Sequence, residues 1–318
     1  MLHDTVGCRD SFGEYLPVQD SGNRPLASFL KMSHDTMKKE RDASIELYRC
    51  LMMFGIVFIH SAYCSIGSFT WENAIGKWCV DGFVLISGFC GIRRFSVVKV
   101  LKLYATMAFL VAYIGLISCL LGWYRLTLVG MIDSIKGYWF VHAYVVVMLL
   151  APIINVAAER EDRKVLLYPF VSVVLLWGLA SELPILNKVL WKTAGIESYS
   201  GLTLAAVYAV GRICKVDEWN KRIKPVWALC LLPVLWGVVC IGIRNSEGAW
   251  IQGWLGNYSS PFSVMIAVMV LVLSTRIKLP LWFGRVVILV SASMFPVYII
   301  HGSPACFEWM RNLITANL

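Results

Sequence analysis

The sequence predicts an all-α, polytopic transmembrane helix bundle of about nine to ten spans, with the N-terminus in the cytoplasm. Three observations carry this expectation. Hydrophobic residues make up 58% of the chain and charged residues only 15%, against roughly 25% charged in a soluble domain, and the mean hydropathy is +0.67. The apolar residues gather into runs near the length a bilayer core demands, about 17–25 residues per helix. The basic residues fall between those runs and alternate in density from one gap to the next. A chain of 318 residues with this composition has too much apolar surface for one water-soluble core, so lipid is the expected solvent for much of it.

Residues 1–40 read as a polar, disordered cytoplasmic leader, rich in the turn formers Gly7, Gly13, Pro17, Gly22 and Pro25. They lack the pattern of a cleavable signal peptide, so the first apolar run, after Lys38-Lys39-Glu40-Arg41, is expected to act as an uncleaved anchor. Apolar runs then follow at 45–66, 76–92, 100–122, 137–157, 164–181, 199–214, 225–244, 259–275 and 284–303. The second and sixth are short. With the N-terminus inside, the inner segments carry Lys38, Lys39 and Arg41; Arg93, Arg94, Lys99 and Lys102; Arg160, Arg163 and Lys164; Arg212, Lys215, Lys221, Arg222 and Lys224; and Arg276, Lys278 and Arg285. The outer segments carry Lys77, Arg125, Lys136, Lys188, Lys192, Arg244 and Arg311. Eighteen basic residues thus face seven, and the bias recurs at every loop, as the positive-inside rule requires. Nine spans leave the C-terminus outside soon after the last run, so the count is expected either to be off by one or to lack a final helix.

The net charge of +9 sits at the ends of the runs, where it sets topology and meets anionic lipid headgroups. No nucleic-acid partner is expected. The ten cysteines include no C-x-x-C pair and mostly lie in apolar runs, so they read as small buried hydrophobes and no metal site is expected. Cys64 and Cys79 fall near one membrane face.

Ionisable groups inside a membrane are costly and mark function by default. The first run carries Glu46, Arg49 and His60. Eleven steps at about 100° return Arg49 and His60 to one face, roughly 16 Å apart along the axis, and Glu46 lies one turn from Arg49, where it can pair with it. The alternative is that Glu46 and Arg49 are interfacial anchors and His60 bonds a neighbouring helix. The second run holds Asp81 near its outer end, Ser87, and Arg93-Arg94 at its inner end. Asp81 is also readable as a solvated acid, and the arginines as topology signals. The fourth run opens on Trp139 and His142, readable as belt and structural residues, and the ninth carries Tyr298 and His301 one turn apart. The alternating topology brings His60, Asp81, His142 and His301 to a similar outer depth, and one polar cavity would account for all four. Arg49, Arg93 and Arg94 fall at the inner side.

At these residues the chain resembles acyltransferase family 3, bacterial inner-membrane enzymes that O-acylate saccharides. The resemblance rests on the Arg-x10-His spacing of Arg49 and His60 and on Asp81-Gly-Phe-Val-Leu-Ile-Ser-Gly-Phe89. Weaker support comes from Tyr138-Trp139-Phe140 followed by Pro152, and from Tyr298-Ile-Ile-His301. It departs from the family where Arg-x-x-Arg is replaced by Arg93-Arg94 followed by Lys99 and Lys102, and in having nine spans where ten are usual. The resemblance implies a transmembrane acyltransferase domain over 41–318, acetyl-CoA as cytoplasmic acyl donor, no metal, and a saccharide as acceptor. It further implies His60, Arg49 and Glu46 as the catalytic set, Arg93 and Arg94 as the grip on the CoA phosphates, and Asp81, Ser87, Trp139, His142, Tyr298 and His301 as substrate-binding or supporting residues. His60 would be the base, or would briefly carry the acyl group; Tyr298 and His301 would stabilise the oxyanion; Asp81 would orient a histidine or the acceptor. Two other classes compete: a transporter or flippase for a saccharide or lipid-linked intermediate, which repeated halves or broken helix pairs would favour, and a catalytically inactive relative. No repeat is visible in the sequence.

Overall fold

In the computed structural model, residues 42–66, 73–122, 127–180, 183, 199–245 and 249–315 are described. Residues 1–40, and the side chain of Cys64, lie outside them. Helices form α1 (Ala43–Ile66), α2 (Asn73–Cys90), α3 (Val97–Leu120), α4 (Leu128–Gly137), α5 (Trp139–Glu159), α6 (Arg163–Ala180) and α7 (Gly201–Val216). They continue as α8 (Trp219–Arg222), α9 (Pro225–Asn245), α10 (Ala249–Gly256), α11 (Pro261–Ser274), α12 (Leu281–Ser291), α13 (Met294–His301) and α14 (Pro304–Thr315). No strand occurs among the described residues. In lipid, where nothing else satisfies backbone groups, helices are one of two permitted solutions.

Each of the nine predicted runs is helical, with ends within three residues of expectation. Six helices, those at Ala43–Ser61, Val97–Leu120, Trp139–Glu159, Arg163–Ala180, Pro225–Asn245 and Trp254–Ser274, are long and apolar enough to cross a membrane. The pair α12–α13, bent by 47°, makes a seventh if it is one span. Pro296 accounts for the bend: it has no N–H to bond the carbonyl of Ala292, so the ladder breaks there. The remaining two runs, α2 and α7, fall short of that standard.

Those two are the interior of the bundle. A Cβ on Gly88 of α2 would collide with the carbonyl of Tyr208, and one on Gly211 of α7 would collide with the carbonyl of Leu85. The two backbones therefore touch, the close approach that small residues permit in membrane bundles. Val84, Leu85, Ile86, Leu204, Ala205 and Tyr208 around this crossing are fully buried. On the other side, Gly55 of α1 is seated on Cys79, and Gly82 of α2 on Tyr48 and Met52, while the Tyr48 hydroxyl donates to the Ala267 carbonyl of α11 at 2.8 Å. The outer helices turn Phe109, Leu116, Leu120, Val226, Trp227 and Leu229 outward, as lipid-facing helices do.

Long-range contacts confirm the alternation of helix directions. The beginning of α6 meets the end of α7 through Arg163 and Asp217, the end of α5 meets the end of α2 through Asn155 and Ile92, and Arg276 after α11 meets α8. One end of the bundle thus holds the start of α1, Arg93, Arg94, Arg160, Arg212 and Arg276; we call it the basic end. The opposite end holds His60, Tyr138 and His301.

Candidate active site

At the histidine end, α1 and the α12–α13 pair run side by side in one direction. Ala43 lies against Gly284, Cys50 points its thiol at the Val287 carbonyl, and His60 stacks on His301 with ring centroids 4.8 Å apart and planes 28° apart. The same seventeen-residue step on both strands of this seam brings the two imidazoles together. His301 is buried. Its Nδ1 lies 2.7 Å from the Val297 carbonyl. A carbonyl only accepts, so Nδ1 carries the proton and Nε2 presents a bare lone pair. That Nε2 and the Nδ1 of His60 are buried without a hydrogen-bond partner among the described residues.

The pair is walled by aromatics. Phe307 of α14 lies 5.6 Å from the His60 ring, and the Ser61 hydroxyl beside it, which donates to the Val57 carbonyl at 2.9 Å, lies 3.6 Å from the Met310 sulfur. Tyr298 approaches His301 edge-on at 5.9 Å and touches Phe140 at 5.7 Å. Trp139 continues the wall: it meets Tyr199 and Tyr258, each at 5.1 Å. The Tyr138 hydroxyl donates to the Ile299 carbonyl at 2.7 Å, tying the start of α5 to α13.

The other predicted outer residues sit elsewhere. His142 is engaged at both ring nitrogens. Nε2 donates to the Ile135 carbonyl at 3.1 Å and Nδ1 accepts from the Tyr104 hydroxyl at 2.8 Å, so the ring staples α3, α4 and α5. Asp81, expected at the outer end of its span, lies in the middle of α2, because that helix starts at Asn73 and runs past it by another two and a half turns. It stands at the level of Tyr48 and Met52, roughly 12 Å below His60 by helical rise. Asp81 is fully buried, and neither carboxylate oxygen finds a hydrogen-bond partner among the described residues. One shared outer cavity for all four groups is therefore not what the fold builds: His60 and His301 meet, while His142 and Asp81 serve other surroundings.

At the basic end, Arg49 pairs with Glu46 at 2.6 Å, as the sequence spacing requires. Glu46 is buried and its second oxygen has no partner among the described residues. Ser87 donates to the Phe83 carbonyl at 3.0 Å and accepts from Tyr144 at 2.9 Å. Arg93 and Arg94 are exposed in the loop after α2. That loop is held just before them: Ile92 donates its N–H to Tyr208 at 2.8 Å and its carbonyl accepts from Asn155 at 2.8 Å, and Tyr208 in turn donates to Asn155 at 2.9 Å. Gly91 adopts φ +78, a left-handed turn suited to glycine, with the Arg212 guanidinium over it. Arg212 also pairs with Glu159.

Sequence reading overlooked Phe307, Asn155, Tyr208 and the helix α14. For α14 a signal existed, since Phe307, Met310 and Ile314 repeat at helical spacing. Asn155 and Tyr208 carried no such mark.

No curated protein and no solved structure matches the chain. A family model described as an acyltransferase domain, acyltransferase 3, matches residues 42–317. That interval runs from the first turn of α1, through both polar ends, to beyond α14, and the chain belongs to the acyltransferase 3 family.

Proposed function

We propose that this multi-pass membrane protein transfers an acyl group, acetyl by family resemblance, from cytoplasmic acyl-CoA to a hydroxyl of a cell-surface or lipid-linked saccharide, in the bacterial inner membrane. Family membership supports acyl transfer in general. The observation that carries the finer reading is the placement of two facing imidazoles, His60 and His301, at one end of the helix whose other end holds the Glu46–Arg49 pair.

The chemistry has three demands. The donor's phosphates must be held, and the exposed guanidiniums of Arg93 and Arg94, on a loop fixed by Asn155 and Tyr208, suit that task. The acyl thioester must reach from there toward His60; a pantetheine arm is long and thin enough for the roughly 16 Å between the levels of Arg49 and His60. Arg49, paired with Glu46, flanks the inner part of that route. Finally, a bare ring nitrogen must act on the thioester and hydroxyl, and His60 supplies one. The aromatic wall around Trp139, Tyr199 and Tyr298 offers flat faces of the kind that pack on sugar rings.

The test combines purified protein with acetyl-CoA, and mass spectrometry of surface glycans from cells with and without the gene. Acetyl-CoA consumption and acetyl esters that vanish with the gene are expected, and His60→Ala lowers transfer by about 10²–10⁴-fold with membrane insertion intact. A protein that inserts normally but never consumes acetyl-CoA would leave the transport reading in its place.

A further inference from the structure

We propose that the two histidines divide the reaction: His60 carries the acyl group, and His301, through Nε2, is the base that activates the acceptor hydroxyl. This deepens the acyl-transfer reading and rests on it.

The family resemblance would make His301 an oxyanion donor. The geometry argues against that role. With Nδ1–H committed to the Val297 carbonyl, neutral His301 has no second N–H to offer, and its Nε2 can only accept. A buried Nε2 lone pair without a hydrogen-bond partner among the described residues is placed to take a proton from a hydroxyl that enters the site. His60 differs. Among the described residues its Nδ1 is buried without a partner, no carbonyl fixes its tautomer, and no carboxylate contacts its ring to strengthen it as a base. In either tautomer neutral His60 keeps one ring lone pair, and a lone pair with no carboxylate behind it among the described residues is suited to attack a carbonyl carbon. Direct transfer in one step uses one base and leaves the second nitrogen idle. Two steps use both.

The steps balance. A lone pair of neutral His60 attacks the thioester carbonyl carbon, the C–S bond breaks, and CoA leaves as thiolate. The remaining N–H of the acyl-imidazolium gives its proton to that thiolate, so free CoA departs as thiol and His60 is a neutral acyl-imidazole. His301 Nε2 then takes the proton of the acceptor hydroxyl as its oxygen attacks the acyl carbon. The C–N bond breaks, and the proton on His301 returns the departing imidazolate to neutral His60. No outside oxidant or reductant enters, and donor and acceptor need not occupy the site together.

The experiment incubates purified wild type, His301→Gln and His60→Gln with radiolabelled acetyl-CoA and no acceptor. Peptide mass spectrometry then seeks acetyl on residue 60. The wild type is expected to hold a hydroxylamine-labile acetyl group on His60. His301→Gln is expected to keep or raise that label while losing at least 100-fold of acetyl transfer to cellular glycans; retained labelling also shows that it folds. His60→Gln should take no label. A wild type that acetylates glycans yet shows no adduct on His60, or a His301→Gln variant that transfers as well as wild type, overturns the division of labour and leaves acyl transfer itself intact. A wild type that neither labels nor transfers overturns both.

Discussion

Two kinds of polar residue occupy this bundle, and counting their bonds separates them. His142 has both nitrogens satisfied, so its contribution is to hold three helices together. His142→Gln is expected to lower stability by about 1–3 kcal/mol, the cost of stranding a partner, while turnover per folded molecule stays within a factor of about two; a hundredfold fall in turnover without loss of stability would make His142 part of the chemistry. Arg93 and Arg94 are the opposite case: exposed, without an ion pair among the described residues, on a loop whose backbone is fixed just before them. Replacing both with Ala should raise the apparent KM for acetyl-CoA about 10- to 100-fold, from lost charge-assisted hydrogen bonds of roughly 1.5–3 kcal/mol, with kcat little changed. An unmoved KM would take the phosphates elsewhere, Arg212 being the nearest other guanidinium to that loop.

Helices translate those residues into position, and here the sequence was legible to different depths. The nine runs announced themselves because transfer from water to lipid leaves a simple compositional mark. The Glu46–Arg49–His60 stripe was equally open, since it needs only the helical repeat. What stayed hidden was which helix sits inside. α2 and α7 look like weak spans, yet their Gly88 and Gly211 let the backbones meet, a fact about a partner that no single run contains. The depth of Asp81 was misjudged for a related reason: the start of α2 is polar, so the apolar run begins later than the helix. The meeting of His60 with His301 depended on a seam between the first and last spans, far apart in sequence. Gly88→Val and Gly211→Val are each expected to cost more than about 3 kcal/mol, through overpacking against backbone that cannot yield, and to abolish stable protein in detergent. Full stability of either would mean that α2 and α7 are not in backbone contact. Pro296→Ala tests the bend instead. It is expected to straighten α12–α13, separate His301 from His60, and lower transfer at least tenfold while the protein remains folded, as read by size-exclusion profile and glycan acetylation.

Across the whole molecule the two ends differ in chemistry, and that asymmetry predicts both its response to acid and its orientation. At the basic end Asp217 is where α7 closes on α6. Burial disfavours its charge, but hydrogen bonds from Tyr168 at 2.7 Å and Arg163 at 2.5 Å outweigh burial and hold the carboxyl below its ordinary range. A depressed folded pKa contributes stability that is present above the unfolded value of about 3.9 and is lost as pH falls through the folded value. Thermal unfolding of Asp217→Asn should therefore start lower at pH 6 and fall less steeply than wild type below pH 4; parallel profiles would remove Asp217 from the account. The orientation follows from the same end. Contacts fix which loops share a side, and the charge count predicts which side that is: by the positive-inside rule the surplus of lysine and arginine is expected in the cytoplasm, on the side of the proposed CoA donor. Glu161 and Asp133 are exposed at opposite ends. Placed singly as Glu161→Cys and Asp133→Cys in a cysteine-depleted chain that retains activity, they should react differently with a membrane-impermeant maleimide. In intact spheroplasts Asp133→Cys is labelled and Glu161→Cys is protected until lysis. The reverse pattern would put Arg93 and Arg94 outside, away from acyl-CoA, and a cytoplasmic donor could not then be gripped by the loop that Asn155 and Tyr208 hold in place.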